Sequence, residues 1–147
     1  MRSLKTLAVL ALLASSAAHA DTFDRVDLQP AIVSGFVSHH INVKKDFNEN
    51  NYGIGYRFGS DVIVGYYRNS MYANSVYAAY ESRWKLTDNV HVGLLAGAVT
   101  GYKVAVLPFV LPELALQVRN VELAATYIPK VRNHTPALVA MQLRWGW

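Results

Sequence analysis

The chain closes on Ala137-Leu-Val-Ala-Met-Gln-Leu-Arg-Trp-Gly-Trp147, and the alternation in this stretch decides how the rest is read. The odd positions Ala137, Val139, Met141, Leu143, Trp145 and Trp147 are all apolar, while the even positions become polar or small at Gln142, Arg144 and Gly146. Side chains of a strand point alternately to opposite faces, so this period marks a strand with one wholly apolar face. In a soluble domain that face packs on a core. In a membrane barrel it meets lipid, with aromatic residues at the interface.

Working back from this strand, the same period recurs. Val121 to Ile128 stops at Pro129, and Val106 to Val118 carries Pro108 and Pro112. Proline lacks the N–H a ladder needs, so those two sites are expected to be bulged or unpaired. Val90 to Thr100 puts His91, Gly93 and Gly97 on one face. Ser75 to Lys85 sets Val76, Ala78, Tyr80 and Trp84 against Tyr77, Ala79, Glu81 and Arg83, and Val62 to Asn69 precedes it. Asn51 to Phe58 alternates Tyr52, Ile54, Tyr56 and Phe58 with Asn51, Gly53, Gly55 and Arg57. Residues 31–43 form the first strand, with Val33, Val37, Ile41 and Val43 outside, Ser34, Ser38, His40 and Asn42 inside, and His39 outward near the rim.

These segments predict an all-β, eight-stranded antiparallel transmembrane barrel. An even count puts both ends of the chain on one side, the periplasmic one. The tight connections Gly59-Ser60, Thr87 to Asn89 and Arg119-Asn120 then share that side, and the longer ones, 44–50, 70–74, 101–105 and 129–135, share the other. Short turns at one end and long loops at the other are usual for such barrels. A soluble lipocalin-like barrel is the alternative, but it would bury Arg57, Glu81, Arg83, Gln142 and Arg144 in a core that has to be apolar.

Composition agrees. The chain is 52% hydrophobic and 12% aromatic with 16% charged residues, against about 25% charged in ordinary domains. Arg2 and Lys5, the apolar run Leu7 to Leu13, and Ala18-His19-Ala20 have the form of a secretory signal. Removing residues 1–20 leaves 127 of 147, expected to be a single barrel domain spanning 21–147. Two of the 14 Lys and Arg lie in the signal, so the mature balance is 12 against 10 acids, too even to suggest nucleic acid. The absence of cysteine excludes disulfides and thiolate metal sites. No mature segment holds the run of about 18 apolar residues that a membrane helix needs.

Residue chemistry offers few sites. His40 tops the first strand, and Asn69-Ser70 tops the third. A serine attacks an acyl carbon when a base takes its proton, histidine is the usual base, and a third group orients it. His91 is expected to bond inside the barrel, His134 to sit solvated in the last long loop, and Lys44-Lys45 to be a wet loop or to meet lipid phosphate. Arg57, Glu81, Arg83 and Arg144 are expected to plug the lumen. No metal-ligand spacing, phosphate loop, HExxH or GxSxG is present, so no cofactor or metal is predicted.

Several short motifs resemble the lipid A palmitoyltransferase (PagP) family. They are Ser38-His39-His40 with Phe47-Asn48-Glu49 and Gly53-x-Gly55; Asn69-Ser70 with Tyr80-Glu81-Ser82-x-Trp84; and Leu107-Pro-Phe-Val-Leu-Pro112 with Thr126-Tyr-Ile-Pro129. Together they run in order over about residues 31–147. The resemblance implies an outer-membrane enzyme that moves a palmitoyl chain from phospholipid to lipid A. It implies lateral entry of the chain where prolines break pairing, and a monomer whose partners are membrane lipids. It places the catalytic histidine on His40, the serine on Ser70 and the orienting residue on Asn69. The family has aspartate where this chain has Asn69. The ten residues from Asp21 to Pro30 are too few for the family's amphipathic helix, and the first outer loop is shorter. A non-enzymatic surface barrel that binds lipid or a partner through its outer loops is the second reading.

Overall fold

A computed structural model describes residues 24–130 and 136–147. The expected signal segment and His134 lie outside the described residues. Eight strands run in chain order: β1 (Ala31–His40), β2 (Asn50–Arg57), β3 (Val62–Arg68), β4 (Asn74–Lys85), β5 (Val90–Val99), β6 (Leu107–Val118), β7 (Val121–Ile128) and β8 (Leu138–Gly146). Each pairs antiparallel with the next, and β8 returns to β1, with Ala31 opposite Gly146 and Val37 opposite Met141, so the sheet closes as a barrel. Residues 58–61, 86–89 and 119–120 connect strands at the terminal end, which carries the start of β1 and the finish of β8; the longer connections lie at the opposite, loop end. The first hairpin takes four residues, not the two expected. Phe58 N–H bonds Val62 C=O at 2.8 Å, and Asp61 takes a positive φ of 64°.

Polarity is inverted relative to a soluble protein. Ile54, Val110 and Trp145 are 65%, 68% and 66% exposed, while Glu81 and Arg83 are fully buried. Such a barrel has an exterior that suits hydrocarbon and an interior that does not. At the terminal end Tyr56 packs on Phe58 and Trp147, with ring centroids 4.9 and 6.0 Å apart, an aromatic cluster of the kind found at a membrane surface.

The expected phase holds along β2, β4 and β8 but not along β1. Val33 is fully buried inside the barrel, not outside, and Ser34 is exposed. The register of β1 slips between Ser34 and Phe36 against β2, and between Val33 and Phe36 against β8. One extra residue in a strand flips every later side chain to the other face. Ala31 and Val33 therefore point inward before the bulge, and Phe36, Ser38 and His40 after it. Gly35 sits at the slip, where a Cβ would lie 2.0 Å from the Asn51 carbonyl oxygen, so only glycine fits.

Pro108 and Pro112 enter β6 without disturbing its β5 side, where Pro108 lies opposite Ala98 and Pro112 opposite Leu94. On the other side β6 first meets β7 at Glu113 opposite Thr126. Among the described residues, Leu107 to Pro112 therefore have no partner in β7, and the loop-end half of the β6–β7 seam is open there. A missing N–H is harmless where there is no ladder to make, so the expectation of unpaired prolines holds on this side.

Residues 24–26 extend the sheet at the terminal end. Beyond the start of β3, Val26 N–H bonds Arg83 C=O at 3.0 Å and Lys85 N–H bonds Asp24 C=O at 2.9 Å. Leu28 then buries its side chain, and Gln29 C=O accepts from Arg57 Nε at 2.9 Å. Arg25 anchors this leader from outside through Asp61 at 2.7 Å and Tyr80.

Candidate functional site

The interior is layered. Nearest the terminal end, Arg57, Arg83 and Arg144 interlock with Glu81, Glu113 and Glu122. Arg144 reaches Glu81 at 2.6 Å, Glu113 at 2.7 Å and Glu122 at 3.0 Å. Arg83 reaches Glu113 at 2.6 Å, and Arg57 reaches Glu122 at 3.2 Å. Three cations face three anions, so the buried charge cancels. The lumen plug expected from Arg57, Glu81, Arg83 and Arg144 is present, and Glu113 and Glu122 complete it.

Above this lies an apolar layer of Val33, Ile63, Tyr77, Ala79, Leu95 and Val99, with Phe36, Tyr67, Leu107 and Phe109 packed against it. Phe36 meets Tyr67 edge-on, with centroids 5.1 Å apart. Tyr77 joins the two layers, because Gln142 Nε2 donates to its hydroxyl at 3.1 Å and Gln142 Oε1 accepts from Arg144 Nε at 2.8 Å. Leu107 and Phe109 belong to the unpaired stretch of β6, so the open seam borders the apolar layer.

The polar rim crowns the loop end. Ser38 Oγ donates to Asn51 Oδ1 at 2.8 Å, and Asn51 Nδ2 donates to the carbonyls of Asn48 and Arg68 at 3.1 and 3.0 Å. His40 is buried. Its ring stacks on Phe47 with centroids 4.3 Å apart and planes 11° from parallel. Its backbone N–H bonds Glu49 Oε1 at 3.1 Å. Ser70, half-buried, accepts the Asn48 N–H on its carbonyl at 3.0 Å. Phe47, Asn48 and Glu49 thus join the top of β1 to the hairpin that carries Ser70. Their signal in the sequence is an aromatic, an amide and an acid in succession within the loop that follows His40.

Asn69 does other work than the orienting role the resemblance implies. It is fully buried, Nδ2 donates to Ser75 Oγ at 2.9 Å and to Gly101 C=O at 2.7 Å, and Oδ1 accepts the N–H of Met71 and of Ala73 at 2.8 and 3.1 Å. Its amide is committed to holding the 69–73 loop, the start of β4 and the 100–106 loop together. His39 points outward as expected. His91 lies inside near the terminal end, but its Nδ1 makes no hydrogen bond among the described residues. Beside the rim, the Tyr102 hydroxyl meets that of Tyr67 at 3.0 Å, and burial pushes the Tyr102 phenol above its ordinary range.

No protein-family model matches the chain, and no curated protein matches it in sequence. Among solved structures, the solution NMR structure of TMB2.3, a de novo designed transmembrane β-barrel, is similar in fold: the TM-score is 0.50 at 18% identity, over 82% of this chain and 98% of that one. The chain is an all-β closed barrel of eight antiparallel strands with the fold of a small membrane barrel.

Proposed function

We propose that the chain is an outer-membrane barrel that admits an acyl chain of a phospholipid through the β6–β7 seam and transfers it to lipid A. The observation that carries this reading is the open seam itself. Among the described residues, six residues of β6 lack a β7 partner, and the interior beside them is the apolar layer, not the ionic one. An acyl chain sliding in from the bilayer would exchange one apolar surrounding for another. Its ester would sit higher, toward the polar rim that holds His40 and Ser70.

There His40 takes the proton of the Ser70 hydroxyl as the oxygen attacks the ester carbonyl. The glycerol oxygen leaves with that proton as a lysophospholipid. A lipid A hydroxyl then attacks the acyl-serine, His40 takes its proton, and Ser70 recovers it. The resemblance to the palmitoyltransferases supports the same donor, acceptor and pair of residues.

Mass spectrometry of lipid A from cells expressing the chain tests this. A mass increase of one acyl chain is expected, lost in Ser70→Ala and in His40→Ala. An unchanged lipid A mass while the folded barrel is present overturns it. The second reading, a barrel that binds lipid without turnover, is favoured by the commitment of Asn69 to its loop, and such an unchanged mass is the result it predicts.

A further inference from the structure

We propose that Glu49 is the positioning residue for His40. This inference rests on the acyl-transfer reading for its kinetic consequence, but its structural content stands apart from it. A histidine acts as a base through one nitrogen when the other holds the proton, and what faces that second nitrogen sets the tautomer. His40 Nδ1 is buried and has no hydrogen-bond partner among the described residues. Glu49 Oε1 lies 3.8 Å from it.

That separation is too long for a hydrogen bond, but the rest of the arrangement is already in place. The same carboxylate oxygen accepts the His40 backbone N–H at 3.1 Å, which ties the acid to this residue. The Phe47 ring lies nearly parallel to the imidazole and fixes its plane. A shift of about 1 Å would bring Nδ1–H within hydrogen-bond reach of Glu49. Catalytic hydrogen bonds in unliganded sites are often long and tighten when substrate binds. With the proton held on Nδ1 toward the acid, Nε2 keeps its lone pair for the serine proton.

His39 competes for the same oxygen, its Nδ1 being 3.4 Å away, but its side chain is 78% exposed. Water takes up much of that interaction, whereas the His40 side chain is 2% exposed and has no such substitute. Asn69 offers no alternative orienter, because both donors and the oxygen of its amide are in use. The adjacent Asn48 holds the Ser70 carbonyl, so two consecutive residues set the base and the nucleophile.

The test is ¹⁵N-histidine NMR on the full mature chain folded in phospholipid micelles, together with transfer kinetics using phospholipid and lipid A. In the wild type, His40 is expected as the Nδ1–H tautomer at neutral pH. In Glu49→Ala the Nε2–H form should appear, because Nδ1–H then has no acceptor facing it. The kcat should fall about 10²- to 10⁴-fold, the upper figure being the loss for an Asp→Asn change in serine-protease triads, with KM little changed. Glu49→Asp should restore the wild-type tautomer and part of the rate, and His39→Ala should change neither. An unchanged His40 tautomer in Glu49→Ala overturns the proposal, as does an unchanged kcat in an active barrel. Should the wild type transfer no acyl chain, the acyl-transfer reading fails by itself, and the tautomer comparison still decides whether Glu49 positions His40.

Discussion

The two halves of the barrel interior solve the same problem in opposite ways. At the terminal end, six charged side chains neutralise one another with contacts as short as 2.5 Å, in a sheet paired on every side. At the loop end, aromatic and aliphatic side chains fill the space, and one seam of the sheet is left open. Buried charge demands a fixed geometry, because removing any one member leaves another unpaired in a low dielectric. Apolar filling makes no such demand and can part to admit a chain. The ionic half thus fixes its own geometry, and the apolar half borders the seam through which, on the proposed reading, lipid enters.

Three experiments would break or sharpen this contrast. The largest effect is expected from closing the seam. Continuing the ladder from Glu113 opposite Thr126 would set Leu111 opposite Ile128. A disulfide between Leu111→Cys and Ile128→Cys should reduce lipid A acylation to background, and reductant should restore it. Full acylation with the disulfide formed would show that the seam is not the entrance.

The next effect concerns the ionic half. Arg144→Leu leaves Glu81, Glu113 and Glu122 short of one cation and should cost about 3–5 kcal/mol, read from urea unfolding in phospholipid vesicles. A loss under about 1 kcal/mol would mean that the network tolerates imbalance, and the contrast between halves would fail.

The smallest is Asn69→Asp, which restores the residue type of the resembling family. A carboxylate cannot donate to Gly101 C=O or Ser75 Oγ, so the folded barrel should lose about 1–3 kcal/mol by the same unfolding measurement, with no gain in acyl transfer. A stable variant with faster transfer would return the orienting role to position 69.

The exterior was legible in the sequence because alternation reports it directly. Tyr52, Ile54 and Tyr56 in β2, and Met141, Leu143 and Trp145 in β8, face outward as their period predicts. β1 was not, because its bulge at Gly35 breaks the period within one strand. Read as a single phase, residues 31–43 put Val33 on the wrong face. The ionic plug was half legible. Arg57, Glu81, Arg83 and Arg144 were found, but three arginines against one glutamate cannot be buried together. That surplus of two positive charges was itself a signal for two more acids, and Glu113 and Glu122 sit at inward positions of their strands. The rim was least legible. His40 and Ser70 come from separate elements, and what joins them is a bend that places Phe47, Asn48 and Glu49 between them, a relation that no spacing along the chain encodes.

The leader at Asp24 to Gln29 has one more consequence. It lies across the mouth beneath the arginines, burying Leu28 and holding Arg57 by a backbone carbonyl. With the ionic lattice above it, this makes the tube a cul-de-sac. On the proposed reading, a chain that enters sideways would find no exit below and would have to withdraw the way it came, so the barrel would exchange what it holds with the surrounding leaflet without conducting it from one compartment to another.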